Sequence, residues 1–167
     1  MIVDTSALLA FFDADEQDHA AVAAILENTD EPLVVSPYVV AELDYLVASR
    51  LGVEAELVVL RELAGGAWDL PAIDAEGLRE AQVVIERYAD QRIGVADASN
   101  VVLADRYGTG TILTLDRRHF TVLRPLAGGH FTILPSPRTV EPPAQDQGRR
   151  HSPTRAPPAP RSARSQT

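Results

Sequence analysis

Four acidic positions, far apart along the chain, carry the chemistry this sequence points to. Asp4 follows the apolar run Met1-Ile2-Val3, and Asp116 follows Thr111-Ile112-Leu113-Thr114-Leu115. Each stands just past a β-branched, strand-like segment, and in open α/β sheets ligands gather at the carboxyl ends of the strands. Asp97 stands at the expected start of a helix, where the positive end of the macrodipole favours an anion. The segment after Ser36-Pro37 offers Glu42 and Asp44. These two differ by about 200° around a helix, so one at most faces a given cleft, and periodicity leaves the choice open.

Taken singly, an acid at a strand end or a helix start is a cap or a solvated side chain. Taken together they demand a counter-charge, because two unit charges ~4 Å apart repel by roughly 4 kcal/mol at an effective dielectric near 20. The chain has no cysteine and 4 scattered histidines, which leaves oxygen ligands and a hard cation: Mg²⁺, with Mn²⁺ as a substitute. Such an ion acidifies a water and stabilises charge on a phosphoryl oxygen.

Composition narrows the field further. All 15 basic side chains are arginine, and lysine is absent. P-loop nucleotidases, phospho-aspartyl hydrolases and receiver domains, which depend on a lysine, are therefore excluded. The net charge of -9 is uneven: residues 136–167 hold six arginines against Glu141 and Asp146, a net +4, which leaves -13 on the rest. A body this acidic grips a phosphate backbone only through local arginines, a bound cation or the tail. Arg117 and Arg118 directly follow Asp116, and Arg92 precedes Asp97 closely, so these three are candidates for flanking phosphates. His119 reads as a hydrogen-bonding turn residue. Phe11, Phe12, Trp68 and Tyr88 read as core or interface groups.

The elements that position these residues alternate short β-branched runs with longer amphipathic ones, the pattern of an α/β domain with a mostly parallel sheet. Strands are expected at residues 1–4, 33–35, 68–73, 111–115 and 131–134, the fourth and first delivering Asp116 and Asp4. Pro71 makes the segment 68–73 edge-like. Helices are expected over 5–12, from 18 to 28, from Ser36 as N-cap with Pro37 at the first position to Gly52, over 54–64, from Asp74 to Tyr88, over 97–107, and as a short turn at 117–120. From Pro135 onward the composition shifts to Pro, Arg, Ser, Gln and Ala, too poor in apolar side chains to offset the entropy of ordering. The expected organisation is one domain over residues 1–135 and a disordered tail over 136–167. With no basic leader and no apolar span after Met1, a cytoplasmic protein without membrane attachment is expected.

Four segments carry a family resemblance. Ile2-Val3-Asp4-Thr5-Ser6-Ala7-Leu8, Ser36-Pro37-Tyr38-Val39-Val40-Ala41-Glu42-Leu43, Ala96-Asp97-Ala98-Ser99-Asn100 and Leu113-Thr114-Leu115-Asp116 resemble, in order and spacing, the four motifs of a VapC-type PIN domain. The resemblance covers residues 1 to about 135. It implies a three-layer α/β/α fold and an acidic metal site that hydrolyses RNA. Asp4, Glu42, Asp97 and Asp116 match the acidic quartet, which favours Glu42 over Asp44. Asp4, Asp97 and Asp116 are then the expected Mg²⁺ ligands. Thr114 matches the hydroxyl that precedes the last acid by two positions. Asn100 departs from the apolar residue more usual there; one turn after Asp97, it is a candidate contact to water or substrate. The resemblance also implies a homodimer, a VapB-type antitoxin that presents a basic side chain to the acidic pocket, and a structured RNA target, a tRNA or a ribosomal RNA loop. A PIN-type nuclease outside a toxin-antitoxin pair and a non-catalytic PIN-like binding module are the alternatives.

Overall fold

Ile2 and Val3 are neighbours whose side chains leave a strand on opposite sides, and this alternation organises the domain. Ile2, Val34 and Ile112 are buried in one core, while Val3, Val35 and Leu113 are buried in the other. A sheet with both faces covered is therefore built from almost wholly apolar strands, as parallel sheets are. The computed structural model describes residues 1–137. The tail expected over 136–167 falls almost wholly outside the described residues.

Three strands form the named sheet: β1 (Ile2–Val3), β2 (Thr111–Leu113) and β3 (Thr132–Leu134), in that order. All pair in parallel, with Ile2 opposite Ile112 and Ile112 opposite Ile133. Beyond β1, single parallel bridges join Ile2 to Val34 and Val34 to Asp69. The Val3 N–H donates to Val34 O at 2.9 Å, and the Asp69 N–H to Leu33 O at 2.8 Å. The order across the sheet is thus Asp69, Val34, β1, β2, β3.

Parallel neighbours need crossover connections, and helices supply them on both faces, giving three layers. On the face of Val3 lie α1 (Thr5–Phe12), α2 (His19–Glu27), α3 (Pro37–Leu51) and α4 (Val53–Leu63). On the face of Ile2 lie α5 (Ala75–Arg87), α6 (Val95–Arg106) and the short α7 (Arg117–Phe120). Ser36 caps α3, its Oγ accepting from the Tyr38 N–H at 3.2 Å. Gly52, at φ 87°, turns α3 into α4 in a left-handed conformation that side chains resist. Phe11 and Trp68 meet edge to face at 5.9 Å under α1, and Tyr88 packs on the second core. Among the described residues no helix is long and apolar enough to cross a membrane.

Three elements differ from expectation. The strand expected over 68–73 shrinks to the bridge at Asp69, because Pro71 has no N–H to continue a ladder. The one expected over 33–35 is the bridge at Val34, hemmed in by Pro32 and the Ser36 cap. The helix expected from Asp97 begins at Val95, so Asp97 is its third residue and not its cap; there its Oδ2 reaches back to the Gly94 N–H at 3.0 Å.

Candidate active site

The strand end at Asp4 sets the site. β1 stops at Val3 and the Asp4 N–H still donates to Leu113 O at 3.0 Å, so Asp4 is held level with the end of β2. Its side chain is 6% exposed, and three neutral donors hold it there. Asn100 Nδ2 donates to Oδ1 at 3.1 Å, while the hydroxyls of Thr114 and Ser6 donate to Oδ2 at 2.8 and 3.0 Å. Each hydroxyl has one proton, and both go to Asp4. The two hydroxyl oxygens, 3.0 Å apart, therefore turn lone pairs outward, and the backbone uses them: the N–H groups of Leu115 and Asp116 donate to Ser6 Oγ at 2.9 and 3.2 Å. Ser6 thus pins the loop that carries Asp116 to the helix that follows Asp4.

Burial pushes the Asp4 carboxyl above its ordinary range; the bonds from Thr114 and Ser6 pull it back, and the charge of Asp97 raises it again. The Thr5 backbone N–H bonds the same carboxyl and also lowers it. Asp97 is anchored by both oxygens, Oδ2 by Gly94 and Oδ1 by His119 Nδ1 at 3.1 Å, and each retains a second lone pair. Glu42 Oε2 accepts the Thr5 hydroxyl at 2.6 Å. Asp44, by contrast, faces α4, where burial and its charge raise the Glu56 carboxyl.

Asp4, Glu42, Asp97 and Asp116 line one open cleft of about 270 Å³. Among the described residues no three acidic or histidine side chains converge tightly enough to enclose a metal ion by themselves. A wide carboxylate-lined cleft of this kind fits Mg²⁺, which keeps several waters and takes one or two protein carboxylates, better than a cation that needs a full protein cage.

The remaining predicted residues divide. Asn100 and Thr114 are fully buried beneath Asp4 and touch it directly. Arg118 sits at the rim, 3.4 Å from Asp116 Oδ2. Arg117 turns away to the carbonyl of Pro135 at 2.7 Å. Arg92, at φ 55°, lies in the turn before α6 and does not line the cleft. Sequence reasoning missed four contributors: Thr5, Ser6, His119 and Arg50, all four lining the cleft with Leu9 and Leu46. Ser6 and Thr5 lie inside the quoted motifs, at the start of the helix expected over 5–12, where a hydroxyl is ordinarily a cap. His119 sits three residues after Asp116, on the turn of α7 that returns to the site. Arg50 follows Glu42 by two helical turns, a spacing that would have put it on the same ridge.

The PIN domain profile matches residues 1–124. Ribonuclease VapC26 of Mycobacterium tuberculosis is 66% identical over 135 residues, 81% of this chain and 100% of the relative. Among solved structures, M. tuberculosis VapC20, a sarcin-ricin loop cleaving toxin, superposes with a TM-score of 0.65 at 18% identity, covering 69% of this chain and 88% of that one. FitAcB from Neisseria gonorrhoeae superposes with a TM-score of 0.52 at 21% identity, covering 71% and 89%. These two likenesses speak for the fold. With the strand order, the acid-lined cleft and a relative matched over its whole length on the page, the chain belongs to the PIN-domain family, among its VapC-type ribonucleases.

Proposed function

We propose that this chain is a Mg²⁺-dependent endoribonuclease, the toxin of a VapBC-type pair, acting in the cytoplasm on structured RNA. The observation that carries the reading is the shared cleft: four carboxylates, one just after β1, one each on α3 and α6, and one after β2, line one volume. The 66% identity to a ribonuclease over that relative's whole length supports it.

In this reading Asp4, Asp97 and Asp116 would hold Mg²⁺, with Mn²⁺ as a substitute. The cation supplies charge neutralisation at the phosphoryl oxygens and acidification of water. The protein's own residues do the rest. Asn100, Thr114 and Ser6 fix the Asp4 carboxylate and His119 fixes Asp97, so neither has to reorganise during the reaction. Glu42, steadied by the Thr5 hydroxyl, takes the proton of the attacking water. In-line attack leaves a 5′-phosphate and a 3′-hydroxyl. Arg118 at the rim is placed for a flanking phosphate.

A VapB-type antitoxin and a second copy of the chain are the proposed partners. The net -13 outside residues 136–167 suits a cationic antitoxin segment, and α3 and α4 expose Tyr45, Leu51, Val53, Leu57 and Val58, apolar surface that a protein partner would cover.

The test is induced expression followed by mapping of cellular RNA 5′ ends. Wild type arrests growth and produces a dominant new 5′-phosphate end, and Asp4→Asn produces neither. Undiminished cleavage by purified protein in EDTA would sink the metal mechanism.

A further inference from the structure

Nine arginines lie within residues 1–137, and one of them occupies the cleft without a task assigned to it. Glu42, Leu46 and Arg50 fall at four-residue steps along α3 and all three line the cleft with the acids, so they form one ridge of the helix. Along that ridge Arg50 lies about 12 Å from Glu42 in axial rise. Leu46, with Leu9 of α1 opposite it, lines the wall between them.

We propose that Arg50 is a substrate-binding residue: its guanidinium holds an RNA phosphate that neighbours the one cleaved. The inference deepens the nuclease reading above and rests on it. A phosphodiester chain entering this cleft meets four carboxylates, and the cation at the acids offsets that charge only at the scissile phosphate. The next phosphate along needs its own positive partner. Arg50 is placed for that role, because it makes no ion pair among the described residues and stands two turns from the water-activating Glu42. Of the two arginines that follow Asp116, neither is unpaired. Arg117 is bound to the Pro135 carbonyl at 2.7 Å, and Arg118 is paired with Asp116 at 3.4 Å. The apolar wall at Leu46 and Leu9 then receives the uncharged sugar of the nucleotide between the two phosphates. A planar guanidinium grips a phosphate through two parallel N–H bonds, which fixes the strand's register as well as its affinity.

The test uses the full chain with Mg²⁺ and total bacterial RNA as probe, reading cleavage at the mapped site against RNA and salt concentration. The same RNA, end-labelled and bound in Ca²⁺, gives a filter-retention measurement independent of turnover. Arg50→Ala raises KM about 10-fold and weakens retention equally, while kcat stays within about twofold. The slope of log affinity against log salt falls by about 0.7, the loss of one single-strand phosphate contact. Arg50→Lys recovers the salt slope and part of the affinity, and Arg79→Ala, on the far surface of α5, changes nothing. Unchanged KM, retention and salt slope in Arg50→Ala, beside an active wild type, would overturn the assignment of Arg50 alone. A loss confined to kcat would overturn it too. A wild type that cuts no RNA overturns the nuclease reading itself.

Discussion

Asn100 Nδ2 lies 3.1 Å from Asp4 Oδ1, a contact made across 96 residues of sequence and fully buried. It is the one side-chain amide bonded to Asp4 among the described residues, and it leaves its own Oδ1 without a partner. An amide there is the neutral donor a buried carboxylate needs, and each replacement should fail in its own way.

Asn100→Ala removes the donor and leaves Asp4 less tightly held. We expect a loss of about 1–3 kcal/mol in unfolding free energy and a fall in activity. Asn100→Asp sets a second carboxylate against the first, at a cost on the order of 4 kcal/mol if both ionise. Denaturant melts at pH 7 and at pH 4.5 separate the two: the Asp variant recovers most of its loss in acid, whereas the Ala variant does not.

Burial holds the Asp4 carboxyl above its ordinary value of about 3.9. Between that value and the raised one, the native state keeps a proton that the unfolded chain has lost. The contribution of Asp4 to the stability of the metal-free protein is therefore most favourable below this window and declines as pH rises through the folded pKa. Asp4→Asn should flatten that decline and raise the melting temperature of the metal-free protein at pH 7, since the Asn100 amide can rotate and give its idle Oδ1 to the new side chain. A lower melting temperature for Asp4→Asn at pH 7 contradicts this account.

His119 reaches Asp97 from α7 at 3.1 Å. Partners of this kind orient metal-binding carboxylates, and losing one typically costs 10- to 100-fold in metal affinity. His119→Ala should weaken Mg²⁺ binding by about 10-fold in a calorimetric titration, with activity restored by excess Mg²⁺, and His119→Asn should retain part of the affinity. Equal Mg²⁺ affinity in His119→Ala and wild type would remove the histidine from the site.

Ser36 serves two elements at once. Ser99 gives its proton to Ala96 O at 2.7 Å, so at the 2.6 Å contact between the two serines Ser36 must be the donor. It also accepts the Tyr38 N–H as the cap of α3. Ser36→Ala should cost about 1–3 kcal/mol, more than a surface cap, because the Ser99 oxygen loses its buried partner. Ser99→Ala, which leaves the cap in place, should cost less. Equilibrium urea unfolding of the two variants gives the comparison.

The residues that the sequence made legible are those whose roles follow from local rules. Asp4 and Asp116 were readable as strand ends, Ser36-Pro37 as a helix start, and the apolar runs as a doubly covered parallel sheet. The bridges at Val34 and Asp69 were overestimated as strands, since local β-propensity cannot see that Pro32, Ser36 and Pro71 interrupt the ladder on either side. At the site, Glu42 and Asp44 were inseparable by periodicity, and the packing of α4 beside Asp44 is the tertiary fact that decides between them. The turn of Arg117 away from the cleft was likewise beyond reach, because its partner is a backbone carbonyl. Ser6 reads as a helix N-terminus residue; that its oxygen receives the N–H groups of Leu115 and Asp116 depends on how β1 and β2 pair.

That last contact bears on when the cleft comes into being. Synthesis delivers Asp4 and Glu42 early, but the oxygen of Ser6 waits for partners that lie 109 and 110 positions downstream. A growing polypeptide on the ribosome therefore has no finished acidic cleft until β2 and its following loop have emerged and docked. The last acid of the quartet, Asp116, arrives together with the N–H groups that dock its loop on Ser6.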